Sequence, residues 1–251
     1  MSLQIKQRQN LIQLLVEEFE QQANPKTKKW FENYLKNAIA YRGLKTPQVA
    51  SLVKEWYLNH NLKQYTIHEQ LALCCDLIES SFAEDKFAGT IYLQKYLIKK
   101  IDYQELLAEC NSWFEQGCFF DWSTTDWFCT RVLDPIIVKN GTSAAEIIAH
   151  WRHSENFWQR RASIVSFRHP SADEQYHPLI ELIIDDLVRE DKRFIQTAIG
   201  WVLADMSKKY PNKVEVIFRR YMKQLNKEII DRHAKHLPCH KELKQLKRRS
   251  Q

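Results

Sequence analysis

The chain has 251 residues, 44% hydrophobic and 27% charged, with a formal net charge of +6 and a pI of about 8.9. That apolar content is enough to bury a core, and no apolar run approaches the roughly 18 residues of a membrane span. The opening "MSLQIKQRQN" has no apolar stretch of the signal-peptide kind, so a cytoplasmic, non-membrane protein is expected.

Only 5 Gly and 7 Pro occur among plentiful Leu, Lys, Glu, Gln and Ala. Breakers are scarce and helix formers common, so the fold class expected is all-α. Apolar periodicity predicts helices, in chain order, over 3–22, 26–37, 47–60, 67–80, 84–99, 102–116, 124–139, 143–153, 156–168, 176–189, 193–209 and 213–236. Thr46 before Pro47 reads as a helix start, and Thr142 or Ser143 as a cap for "AAEIIAHW". The end of the chain, 240–251, reads as a basic tail, flexible or solvated. No segment alternates with period two.

A weak repeat organises these helices. "FAGTIYLQKYL", "WSTTDWFCTRVL", "WQRRASIVSF" and "FIQTAIGWVLADM" begin at 87, 122, 158 and 194, spaced by 35, 36 and 36 residues. Each opens on an aromatic and continues as an apolar helix. Such a period points to stacked helix pairs, a HEAT-like solenoid forming a single domain over 1–251, with a concave surface for an extended partner.

Basic residues interleaved with aromatics decorate several of these helices. "TKKWFENYLKN" carries Lys28, Lys29 and Lys36 among Trp30, Phe31 and Tyr34; "NFWQRRASIVSFRH" carries Arg160, Arg161 and Arg168; "IFRRYMKQLNK" adds Arg219, Arg220 and Lys223. Cations beside flat rings fit phosphate contacts next to base or sugar packing. For any one segment the alternative, aromatics in the core and lysines in solvent, is the simpler reading. Their recurrence, with the net positive charge, points to duplex DNA as the partner.

Three stretches then resemble the DNA alkylation repair family of HEAT-like-repeat proteins: "NYLKNAIAYRGLKTPQ" (33–48), "WRHSENFWQRRASI" (151–164) and "FIQTAIGWVLADMSKKYP" (194–211). The first has the family's tyrosine–x–lysine helix, Tyr34 and Lys36, then a glycine turn and Thr46-Pro47. The resemblance covers roughly 24–211; separately, a monomer without a cofactor is expected. Characterised members include glycosylases that release cationic alkylated purines. By the same resemblance Tyr34, Trp127 and Trp201 would present aromatic faces to the lesion-bearing nucleotide, and Arg161 would approach the DNA backbone. A cation over such a face gains roughly 0.5–2 kcal/mol, which gives the rings a physical task.

In the family's glycosylases a Trp is followed four residues later by an Asp, which stabilises the oxocarbenium-like sugar and orients water. Four residues after Trp127 stands Arg131, a permanently charged guanidinium that cannot act as a base and would repel a developing sugar cation. Asp126 is the substitute acid to consider, with a first-turn helix acid as its alternative role. Arg131 itself could pair with Asp134 or hold a phosphate. Two functions stay open: an N-glycosylase for 7-alkylguanine or 3-alkyladenine, or a non-catalytic binder of damaged or branched DNA. A protein-binding helical scaffold is a third, lesser reading.

The remaining chemistry is sparse. Six cysteines show no CxxC pair and sit in helical patterns as small hydrophobes. His233, His236, Cys239 and His240 are ligand types at close spacing, but Pro238 interrupts them, and no metal is expected. P-loop, GxGxxG, HExxH and GxSxG patterns are absent.

Overall fold

A computed structural model describes residues 3–249; Met1, Ser2 and the last two residues of the basic 240–251 stretch, Ser250 and Gln251, lie outside the described residues. The described residues are helical, without a strand; one isolated bridge joins Ala40 and Phe82. Contacts cluster into two compact units, 1–132 and 133–251.

The first unit holds α1 (Ile5–Gln22), α2 (Pro25–Tyr34), α3 (Thr46–Asn59), α4 (Ile67–Glu79), α5 (Ala83–Tyr92), α6 (Tyr103–Glu115) and α7 (Trp122–Phe128). Within it α1 packs on α3, α3 on α5 and α5 on α7, while α4 lies against α1, α5 and α6. Each of these helices thus packs on the next but one. Leu15, Phe19, Val53, Leu73 and Tyr92 are buried between these helices, and Trp56 satisfies its indole by donating from Nε1 to Leu11 O at 2.8 Å.

The second unit holds α8 (Asp134–Asn140), α9 (Thr142–His150), α10 (Phe157–Val165), α11 (His177–Leu187), α12 (Arg193–Met206), α13 (Pro211–Arg220), α14 (Lys227–His233) and α15 (His240–Arg249). The same alternation recurs: α10 packs on α12 and α12 on α14, with α9 against α11. Gly200 lets α12 and α14 approach closely, since a Cβ there would lie 2.5 Å from His233 Cδ2 and 3.0 Å from Ile229 Cγ2.

Element boundaries depart from the sequence expectation in informative places. The 84–99 helix is α5 followed by a π-helical segment, Leu93–Leu97, and the 124–139 helix is α7, a second π-helical segment, Cys129–Leu133, and α8. The 213–236 helix is broken between Arg220 and Lys227. That break is tolerated because its polar groups find partners: Lys247 Nζ donates to Met222 O and Lys223 O, and Asn226 N donates to Gln196 Oε1. Thr46 and Thr142 are first helical residues, with Lys45 and Gly141 in the cap positions. Residues 240–249 form α15, anchored by buried Leu243 and Lys247.

The turn between α2 and α3 is held from below by α5. Buried Glu84 accepts from three consecutive backbone amides, Arg42 N at 3.0 Å, Gly43 N at 2.8 Å and Leu44 N at 3.0 Å. Its neighbour Asp85 takes both Nε and Nη2 of Arg42, at 3.0 and 2.8 Å. Gly43 has φ +119°, and a Cβ there would sit 2.5 Å from Asn24 O, so only glycine fits. Replacing Glu84 with Ala orphans three amides in the interior. Glu84→Ala is expected to lower unfolding free energy by about 3–5 kcal/mol, read from the urea midpoint, with Glu84→Gln losing less.

Candidate nucleic-acid interface

Helix α7 starts because Asp121 caps it: its Oδ1 accepts from Ser123 N at 2.7 Å and Thr124 N at 3.1 Å, and Thr124 Oγ1 donates to its Oδ2. Burial raises the Asp121 carboxyl above its usual range, against the lowering by these bonds; the Asp126 charge adds to the rise. With Asp121 as the cap, Asp126 is left out of that role. Asp126 lies four residues beyond Trp122, on the same face of α7, and its side chain is buried.

Trp122 is half-buried and meets Tyr34, the last residue of α2, edge to face at 5.4 Å. Tyr34 is 57% exposed and stacks on Trp30, itself 59% exposed, with centroids 5.2 Å apart and planes 13° apart. Large aromatics left this open are uncommon on a helix surface without a partner. From Trp30 the rings continue inward: Phe31 contacts Trp30 at 4.9 Å, Tyr41 stacks on Phe31 at 4.6 Å, Phe87 lies 6.5 Å from Tyr41, and Trp127 meets Phe87 edge to face at 5.2 Å. The series ends at Arg131, exposed, with its guanidinium 5.1 Å from the Trp127 ring. Tyr34 and Trp127 are therefore joined through four intermediate rings and do not themselves touch.

Lys36 and Asn37 both have positive φ, 53° and 56°, and close the end of α2 by a bond from Asn37 N to Glu32 O at 2.8 Å. This turns the exposed Lys36 chain away from the helix just beyond Tyr34. Thr46 is half-buried at the start of α3, where Gln48 Oε1 accepts from Lys45 N. It stands apart from the ring series.

In the second unit, Trp201 projects from α12 between two guanidiniums. Arg168 lies 4.9 Å and Arg161 5.8 Å from its ring. Arg161 is 2% exposed and donates from Nη1 to Phe194 O and to Thr197 Oγ1; Arg168 donates from Nε to Asp205 Oδ2 at 2.8 Å, and Lys208 pairs with the same carboxylate at 2.6 Å. Of the expected pair only Arg161 was singled out as a site residue, while Arg168 is the nearer and more accessible cation. Asp134, considered as a partner for Arg131, is engaged by His169, whose N and Nδ1 lie 3.2 and 2.5 Å from its Oδ2.

The histidine-rich segment is dispersed. His233 is buried against Gly200 with Nε2 making no hydrogen bond, His240 donates from Nε2 to Ile230 O at 3.1 Å, Cys239 contacts Glu215, and His236 is exposed. Among the described residues no three His, Cys, Asp or Glu side chains converge in the manner of a metal site.

The sequence search passed over Trp122 as a site residue. The Trp–x–x–x–Asp spacing occurs at Trp122 and Asp126, five residues before the Trp127–Arg131 pair.

Helical layers bearing open aromatic rings and ring-bound guanidiniums define an all-α protein suited to contacts with bases and phosphates. The chain belongs to the DNA alkylation repair enzyme family, whose model matches residues 15–237; membership supports a role in DNA repair. Among solved structures it is similar to a predicted DNA alkylation repair enzyme from Enterococcus faecalis, at 21% identity and a TM-score of 0.75, over 86% of this chain and 97% of that one. That likeness shows the shared all-α fold. No curated protein matches. No helix among the described residues is long and apolar enough to cross a membrane.

The buried His233 gives this region a pH dependence. Desolvation, aided by the Arg232 charge, depresses its pKa to about 4, below the roughly 6.5 of an unfolded chain. The unfolded state therefore takes up this proton first as pH falls. Its stabilising contribution is complete above pH 6.5 and is lost progressively toward pH 4. Urea midpoints measured from pH 7 to 4.5 are expected to fall, and to fall less steeply in His233→Gln.

Proposed function

We propose that the chain is a DNA N-glycosylase that releases cationic alkylated purines, with Trp122 and Tyr34 forming its lesion-contacting aromatic face and Asp126 its carboxylate. The observation carrying this reading is the placement of Trp122 and Asp126 one turn apart on α7 with Tyr34 against Trp122. Ring occupancy supports the choice. Trp127 and Trp201 already carry the chain's own guanidiniums, which would repel a cationic base. Among the described residues no guanidinium or ammonium lies over Trp30, Tyr34 or Trp122.

In this mechanism a 7-alkylguanine or 3-alkyladenine, positively charged, is drawn to the open rings by roughly 0.5–2 kcal/mol per face. Cleavage of the glycosidic bond leaves positive charge on the sugar, and the Asp126 carboxylate stabilises that charge while aligning water for attack at the anomeric carbon. The departing base is neutralised by bond cleavage itself, so protonation by an acid is not required. Arg131, exposed beyond Trp127, and Lys36, beyond Tyr34, supply positive charge for neighbouring phosphates. Arg161 fixes the Trp201 region through its bonds to Phe194 and Thr197, and Arg168 sits beside it. The working partner is duplex DNA, with the protein acting as a monomer.

The second reading is a binder of damaged or branched DNA that cleaves nothing. It is favoured by Trp127, over which the exposed Arg131 presents a phosphate-seeking group where a base-reading ring would be bare.

Release of 7-methylguanine from methylated duplex DNA distinguishes the two. Wild-type protein should release the base, and Asp126→Asn should slow release by about 30- to 1,000-fold, the equivalent of about 2–4 kcal/mol of transition-state stabilisation. Trp122→Ala should weaken release more than Trp127→Ala does. Retained DNA binding with no release by wild type would leave the binding reading standing for this lesion.

A further inference from the structure

Helix α15 lies beyond residue 237, where the family match ends, and it is attached to its unit by directed contacts. Arg219 Nη2 pairs with Glu242 at 2.8 Å, Lys244 Nζ with Asp231 at 2.9 Å, and Lys247 Nζ donates to Met222 O at 3.0 Å and Lys223 O at 3.2 Å. Leu243 is fully buried beneath them. A helix held at this many points places its remaining charges at defined positions.

Those charges border a shallow surface cleft lined by Lys227, Ile230 and Asp231 from α14 and by Lys244, Lys247 and Arg248 from α15. Asp231, its only acid, is neutralised by Lys244, which holds the carboxyl below its ordinary range. With Lys244 paired to Asp231 and Lys247 turned to the Met222 and Lys223 carbonyls, Lys227 and Arg248 are the two cations left over at the cleft. Lys227 and Arg248 are exposed, and neither has a carboxylate within ion-pair distance among the described residues. This contrasts with Lys213 and Arg220 on α13, which both pair with Glu181 at 3.3 and 3.0 Å.

We propose that the α14–α15 cleft is a phosphodiester-binding site, in which Lys227 and Arg248 hold backbone phosphates of the DNA on which the protein acts. The guanidinium offers two parallel donors to phosphate oxygens and the ammonium a compact charge. The cleft carries no ring, so it grips the backbone without reading sequence. This inference rests on the DNA-binding reading above and adds a contact supplied by a helix outside the family match.

The test uses the full chain and an unmodified duplex, with affinity measured across a salt series. Removing two phosphate contacts in Lys227→Gln/Arg248→Gln should flatten the slope of log affinity against log salt by about 1.8, which corresponds to roughly 60-fold weaker binding at 0.1 M salt. Lys227→Arg/Arg248→Lys should retain the slope, and Lys213→Gln, which removes an ion-paired cation, should leave it near wild type. Far-UV circular dichroism of each variant establishes that the fold is kept. Single-turnover release of 7-methylguanine at saturating protein should be unchanged in the double variant, since the cleft is not in the chemistry. A wild-type slope in the double variant, or an equal loss in Lys213→Gln, would overturn the proposal while leaving the glycosylase reading intact. Failure of wild type to bind duplex DNA would remove both together. An equal affinity of wild type for inorganic phosphate and for the duplex would mark the cleft as a site for the free anion and overturn the backbone assignment.

Discussion

One buried carboxylate governs the first unit. Glu84 enters the interior with three backbone amides converging on it, and an ion placed there is tolerable only because each of those bonds is charge-assisted. The amides belong to the turn that carries Tyr41, and Tyr41 supports Phe31 on one side and Phe87 on the other. The orientation of α2, and with it the open pair Trp30 and Tyr34, descends from that one group. Arg42, clamped by Asp85 and reaching Glu20 at 3.1 Å, stiffens the same turn from outside.

Aromatic rings in this chain divide by what lies over them. Trp127 and Trp201 are ring-and-guanidinium units, complete in themselves, and at Trp127 the exposed Arg131 offers positive charge outward. Trp122, Tyr34 and Trp30 have no cation over them among the described residues, and Trp122 shares a face of α7 with Asp126. Attraction for a cation requires an unoccupied π face, and the proposed function rests on this division when it gives base contact to the second set. Sequence composition could not make it, since both sets consist of the same residue types.

The all-α class was legible because breakers were rare and the apolar period was long. The approximate position of most helices was readable, but α15 read as a basic tail because its few apolar residues give little period, and the π-helical segments were hidden because an extra residue in a turn leaves the apolar pattern nearly unchanged. The break after Arg220 was hidden for a different reason: it depends on Lys247 reaching back across 25 residues to carbonyls, which no local pattern encodes. At the candidate site, Tyr34 was named from the family resemblance and Asp126 as the acid beside Trp127. Trp122 could have been, had the i, i+4 rule been applied to every tryptophan of "DWSTTDW". Arg168 was seen as a charge in a run, and only the fold brings it to Trp201.

The two π-helical segments begin at Leu93 and Cys129, one repeat length apart, and the third residue of each, Lys95 and Arg131, is an exposed cation. Each wide turn carries one residue more than a regular helix would, which rotates everything beyond it by about 100° relative to the part before. The bulge thus works as a phase shifter. It allows one continuous helical stretch to direct its first half inward around rings and its second half along a different azimuth. Excising a single residue there would restore regular winding yet point every following side chain the wrong way.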